Sequence, residues 1–204
     1  MSYYLAEGDE SDPCRVLLWH PDLFRTVLLA IVLAALPVTL WAGSIKVNSA
    51  ESTIINQMVV INAQIEFEFS DDAQDAMRSG IALYIDVDFR IKRKRPYIWD
   101  PQVVALSRRY RIERHALTDR YVITDLVTDD RRLYDSLSEA IRNLGNIREI
   151  PIAEQSILDA TIDYRIGLRA RLDLASLPAP IRPIAYISPS WRMSSRWYQW
   201  IFTQ

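Results

Sequence analysis

Three stretches of the chain alternate apolar and polar residues with a period of two. In "QMVVINAQIEFEFS", Val59, Ile61, Ala63, Ile65, Phe67 and Phe69 share one parity, while Asn62, Gln64, Glu66 and Glu68 share the other. Between Ile81 and Lys94, Ile81, Leu83, Ile85, Val87, Phe89 and Ile91 fall on one side, against Tyr84, Asp86, Asp88, Arg90, Lys92 and Lys94. The run "ATIDYRIGLRARLDL" sets Ile162, Tyr164, Ile166, Leu168, Ala170, Leu172 and Leu174 against Asp163, Arg165, Arg169, Arg171 and Asp173. Successive strand residues point to opposite faces of a sheet, so this pattern predicts strands with one wet face, the habit of antiparallel sheets.

Shorter runs around Leu106, Tyr110 and Ile112, then around Tyr121 and Ile123, predict a hairpin joined near "HALTD". "IKVNSAESTII" offers an initial strand interrupted by a polar bend. Two short helices are expected. Ser70 caps the first, with Asp71 and Asp72 in its opening turn and Gly80 at its end. Ser136 and Glu139 form a capping box for the second, whose apolar stripe is Leu137, Ala140, Ile141 and Leu144, with Gly145 as its stop. A run from Ile81 to Lys94 would extend ~45 Å at about 3.3 Å per residue, so it must bend or carry a bulge. The expected fold is mainly all-β: a curved antiparallel β-sandwich with two short helices, preceded by one N-terminal transmembrane or signal helix.

That preceding helix is predicted from the twenty uncharged residues between Arg25 and Lys46, "TVLLAIVLAALPVTLWAGSI". About 20 apolar residues suffice to cross the hydrocarbon layer of a membrane. The expected organisation is a polar leader over 1–25, a transmembrane anchor or cleavable signal segment over 26–45, and an exported domain over 46–204. Pro37 followed by Ala42, Gly43 and Ser44 keeps the cleaved alternative open. Arg15 and Arg25 against Lys46 alone place the N-terminus in the cytoplasm and the large domain in the periplasm.

The net charge of −2 over 204 residues excludes a strongly basic nucleic-acid binder, yet it conceals segregation: residues 45–89 sum to −6 and residues 90–132 to +6. "DVDFRIKRKRPYIWD" places five cations within six positions. Arg90, Lys92 and Lys94, with Arg109 and Arg111 from the hairpin, form a candidate face for an anionic ligand or partner. The competing expectation is a solvated strand face neutralised by cross-strand acids such as Asp86, Asp88, Glu66 and Glu68. The proline-spaced tail, which cannot be a central strand, ends in Trp191, Trp197, Tyr198 and Trp200. These four are either plugs at one end of the sandwich or an aromatic surface for a partner protein or the membrane interface.

Catalytic chemistry finds little to work with. The single cysteine, Cys14, precedes the apolar segment, and the two histidines are His20 and His115, so no cysteine or histidine cluster for a metal exists. No glycine-rich phosphate loop occurs, and no cofactor is expected. Carboxylate pairs such as Glu66 with Glu68 or Asp86 with Asp88, ~7 Å apart on one strand face, superficially suit a glycosidase, but on an open strand face the expected state is solvated.

"YRIERHALTDRYVITDL", "SLSEAIRNLG", "YRIGLRARLDLASLPAPIRPIAYISPSWRMSSRWYQW" and the basic strand ending in "RKRPYIWD" together resemble the bacterial exported proteins grouped as domain of unknown function 4390. The resemblance implies an exported or membrane-associated protein and supplies no catalytic residues. The function expected is therefore a non-enzymatic, envelope-facing accessory or binding domain tethered to the inner membrane, with a protein partner in the envelope and no nucleic acid. The alternatives are a periplasmic hydrolase using carboxylates and a soluble binder of anionic lipid or polysaccharide.

Overall fold

The computed structural model describes residues 43–95 and 100–203. The expected leader, nearly all of the apolar segment and the "PYIW" that closes the basic run lie outside the described residues.

Nine strands and three short helices follow in order: β1 (Ser44–Ile55), β2 (Met58–Glu68), α1 (Asp71–Arg78), β3 (Leu83–Arg93), β4 (Gln102–His115), β5 (Arg120–Asp125), β6 (Asp130–Tyr134), α2 (Leu137–Leu144), β7 (Asn146–Glu154), β8 (Tyr164–Leu172), α3 (Arg182–Ile187) and β9 (Tyr198–Phe202). One sheet has the order β1-β2-β7 and the other β6-β5-β4-β3-β8-β9, with every pairing antiparallel. The three alternating stretches become β2, β3 and β8, and their apolar parities form one core shared by both sheets: Ile61, Ile65 and Phe67 from one side meet Ile85, Phe89, Ile166 and Leu168 from the other. Each fully buried side chain of this size contributes about 1.5–3 kcal/mol. The protein is thus mainly β, two antiparallel sheets around a common core.

The helices begin where expected. The Ser70 hydroxyl accepts from Ala73 N–H at 3.4 Å, and Ser136 accepts from Glu139 N–H at 3.2 Å. The chain of β1 does not bend at its polar centre. It stays paired through a bulge between Val47 and Ser49 and turns at Asn56 and Gln57, both at positive φ.

Two strands escaped the alternation rule. β6 is solvent-facing nearly throughout, so no burial pattern marks it. β7 contains Pro151 and Glu149 at φ 50°, and register shifts against β2 absorb both; a sheet edge tolerates such interruptions. The tail is only partly extended, consistent with its exclusion from a central strand. Pro183 sits in the first turn of α3, a 3-10 turn follows at Pro189–Trp191, and only β9, at the sheet edge beyond the prolines, is a strand.

The registers define two ends of this domain. Gly43, Ser70, the start of β3, the β4–β5 turn and the end of β8 gather at one, the entry end, because Leu83 pairs with Ile112 and the Leu172 N–H donates to the Met193 carbonyl at 2.9 Å. The Asn56–Gln57 turn, Arg93, Tyr164 and Phe202 gather at the other, the distal end. Nine residues of β3 separate Leu83 from Lys92, about 30 Å.

Gly145, which follows α2, lies so close to the Ile65 carbonyl that a Cβ there would collide with backbone, whereas a Cβ on Gly80 would meet nothing but must accept φ +83°. Gly145→Ala should therefore destabilise by about 3 kcal/mol and Gly80→Ala by only about 1 kcal/mol, read as urea unfolding followed by tryptophan fluorescence.

Candidate functional site

The outer face of the six-stranded sheet is written by register. Asp86 faces Arg109 on one side and Arg171 on the other; Asp88 faces Ser107 and Arg169; Arg90 faces Ala105 and Gly167; Lys92 faces Gln102 and Arg165. Acids occupy the first half of the β3 outer row and cations the second.

In the first half the charges are matched. Asp86 is only 2% exposed although it belongs to the outward parity, because arginine side chains roof it. Arg109 donates to both its oxygens, Nε to Oδ1 at 2.7 Å and Nη2 to Oδ2 at 3.2 Å, and Arg171 Nη2 lies 3.2 Å from Oδ2. Asp88 accepts from Ser107 at 2.9 Å and from Arg169 at 2.8 Å. Arg109 also reaches Asp173 at 3.2 Å. The hydrogen bond to Asp86 raises the Arg109 pKa above its ordinary value. Burial pushes the Asp173 carboxyl upward, but the Ser176 hydroxyl, the Ala175 N–H, Arg109 and Arg171 outweigh it and hold the group below the usual range. Carboxylates so engaged serve as counter-ions to the arginines around them.

Beyond Asp88 the outer row of β3 carries no further acid, and the acids nearby are engaged elsewhere, Asp100 with Arg165 at 2.9 Å and Asp163 with Lys94 at 3.4 Å. The Arg90 guanidinium stacks 3.6 Å from the Trp197 ring centroid and that of Arg169 lies 4.7 Å from it, both within cation–π range. Gly167 makes this possible: a Cβ there would stand 3.1 Å from Arg90 Nε and 3.3 Å from Trp197 Cε3. Desolvation, then repulsion from Arg169 and Arg165, lowers the Arg90 pKa. Among the described residues no carboxylate lies within ion-pair distance of Arg90 or Lys92.

The five expected cations therefore divide. Arg109 is bound to Asp86, Arg111 pairs with Glu113 at 2.8 Å, and Lys94 with Asp163 at 3.4 Å; Arg90 and Lys92 retain unmatched charge. The four aromatics do not share a surface. Trp191 is 4% exposed and belongs to the core. Trp197 joins Arg90 on the outer face, whereas half-buried Tyr198 and Trp200 pair with Leu168 and Ile166 on the inner parity of β9. Trp200 donates from Nε1 to Ser52 at 3.0 Å and so ties β9 to β1 across the sandwich. The site thus joins Arg90 and Lys92 of the expected basic face to Trp197 of the expected aromatic group, and Arg165 and Arg169, marked only by the outward parity of β8, complete it.

Concavities lie elsewhere too. A cleft of about 1000 Å³ near the entry end has Phe67 and Phe69 in its floor and the start of α2 as a wall, but its acids, Glu68 and Asp71, come from one short stretch. A polar cavity of about 410 Å³ is lined by Tyr110, Asp125, Arg132, Tyr134, Asn146 and Arg148. Burial, then Asp125, pushes the Tyr110 phenol up to about 12, so it stays neutral. His115 is exposed and meets the Thr118 hydroxyl at 3.2 Å. Among the described residues no group of three His, Cys, Asp or Glu side chains could hold a metal.

The family described as "Domain of unknown function (DUF4390)" matches residues 42–201. The chain belongs to that family. The match takes in both sheets, so the acid–arginine ladder and the Trp197 stack are parts of the DUF4390 domain itself. No curated protein and no solved structure matches the chain.

Removing Asp86 leaves two half-exposed arginines that water can rehydrate, so Asp86→Ala should cost about 2 kcal/mol. Arg109→Ala and Arg171→Ala should each cost about 1 kcal/mol, since the other still covers the carboxylate. The double substitution should exceed their sum, because it strands a buried charge. A double-mutant cycle in urea measures this; strict additivity would mean that Asp86 is not shared.

Proposed function

We propose that this DUF4390 domain is a non-enzymatic binding module, tethered to the inner membrane by the apolar segment 26–45 and facing the envelope, whose distal basic face receives an acidic segment of a protein partner. The observation that carries this is the Arg90–Trp197–Arg169 stack with Lys92 and Arg165 beside it. Arg169 is paired with Asp88 and Arg165 with Asp100, whereas Arg90 and Lys92 beside them have no carboxylate partner among the described residues. This excess of positive charge raises the free energy of the unliganded face, and an anionic partner relieves it. The aromatic ring holds the Arg90 guanidinium flat, so less rotamer entropy is lost on binding. Position favours a protein over the lipid headgroups of the domain's own membrane: along β3, Arg90 lies about 23 Å and Lys92 about 30 Å from Leu83 at the end where the chain enters. The hydrolase alternative draws no support from the acid pair of β3, since both members are occupied by arginines.

Charge reversal at Arg90 and Lys92 to glutamate should lower recovery of a partner cross-linked in intact cells at least tenfold, about 1.4 kcal/mol. Reversal of Arg131 and Arg132, exposed cations paired with Asp129 and Asp130, should leave recovery unchanged. Equal recovery from both variants would return the distal cations to an ordinary solvated strand face.

A further inference from the structure

The uncharged run of residues 26–45 leads directly into β1, and Gly43 fixes where it enters. A Cβ on Gly43 would collide with Met193 Sδ, the Glu68 carbonyl oxygen and the Ser70 nitrogen, so the backbone is wedged between the end of β2, the start of α1 and the segment after α3. That same end carries α3. Of its six residues only Ala185 is buried; Ile184, Tyr186 and Ile187 are exposed, Ile187 by 77%. Leu117, 92% exposed at the tip of the β4–β5 turn, projects at this end as well.

α3 is not a loose excursion. Arg182 donates from Nε and Nη2 to the Leu177 carbonyl at 3.0 and 2.8 Å, and Arg192 donates from Nη2 to the Tyr186 carbonyl at 2.6 Å. The following turn is pinned by Ser190, which donates to Asp72 at 2.6 Å, and by Trp191 in the core. The helix is thus a fixed platform that holds two isoleucines and a tyrosine in the open, flanked by two exposed arginines.

We infer that this platform is a second membrane contact: Ile184, Tyr186 and Ile187 enter the headgroup region of the bilayer beside the tether, with Arg182 and Arg192 at the level of the phosphates. The inference rests on the tether of the proposed function and adds the orientation of the domain. Bulky apolar side chains together with tyrosine and arginine are the composition that interfacial segments use, since each presents an apolar body and a polar tip. Gly43 lies within two residues of the end of the uncharged run, so the platform has only a short distance to span. The acids of α1 stand at the same end: Asp72 is bonded to Ser190, Asp75 is paired with Arg78, and Asp71 is exposed. The contact is therefore driven by apolar burial and only weakly by headgroup charge.

The test uses the full chain with Cys14→Ser and a single cysteine introduced by Ile187→Cys or, at the distal end, by Ile157→Cys, each labelled with an environment-sensitive fluorophore. The chains are reconstituted into vesicles of phosphatidylethanolamine and phosphatidylglycerol, 3:1, with and without spin-labelled lipid. Quenching at position 187 should exceed that at 157 at least threefold and persist in 0.5 M salt, while an alkaline wash reports separately whether the chain is embedded. Embedded chain with equal quenching at both positions would overturn the platform and leave the tether standing. Shielding of position 187 in native membranes but not in pure lipid would likewise overturn it, assigning α3 to a protein. Quenching at 187 with chain lost to the alkaline wash would remove the tether and support the contact alone.

Discussion

Asp86 sits at the middle of an inner strand of the six-stranded sheet, and its carboxylate is shared by arginines from the strands on either side. A charge 2% exposed is tolerable only when it is paired and fully hydrogen-bonded. Satisfying that demand fixes the register of β3 against both β4 and β8. It also orders the roof of arginine stems over the outer face, and it uses the two acids of the row, so that Arg90 and Lys92 have no carboxylate partner among the described residues. The apolar row on the other side of β3 does the complementary work, closing the core against β2. One strand with two incompatible faces thus organises both the fold and its asymmetry of charge.

The asymmetry runs along the domain as well as through it. At the entry end the chain arrives from an uncharged run, and a pinned helix offers isoleucine and tyrosine to the surroundings. At the distal end the sheet offers stacked arginines and an unmatched lysine. Under the proposed function these would serve different recognition chemistries, apolar burial at one end and charge complementarity at the other, for a module held at a membrane while it binds something away from it.

Much of the fold was legible because burial on one face imposes a period of two. β2, β3 and β8 could be read to within three residues, and Ser70 and Ser136 marked helix starts through their own hydrogen-bonding chemistry. β6 was invisible because neither of its faces is dry, and β7 because Glu149 and Pro151 break the alternation at an edge that tolerates them. The site was only half legible. Arg90 and Lys92 stood out as a run of charge, but whether a cation is matched depends on its neighbours across the sheet, which are distant in sequence. The same limit explains Asp86, polar by parity yet buried by arginines 23 and 85 positions away. The tail aromatics were legible as plugs or as one surface, but not how they divide: Trp191 is buried in the core, while strand geometry sends Trp197 and Trp200 to opposite faces.

The account stands on the apolar run remaining attached to the domain. Intact-mass determination of the protein purified from washed membranes tests this most directly. A mass that includes residues 26–45 is predicted, with the domain embedded through them. A mature chain beginning near Ile45, recovered without membranes, would contradict the account.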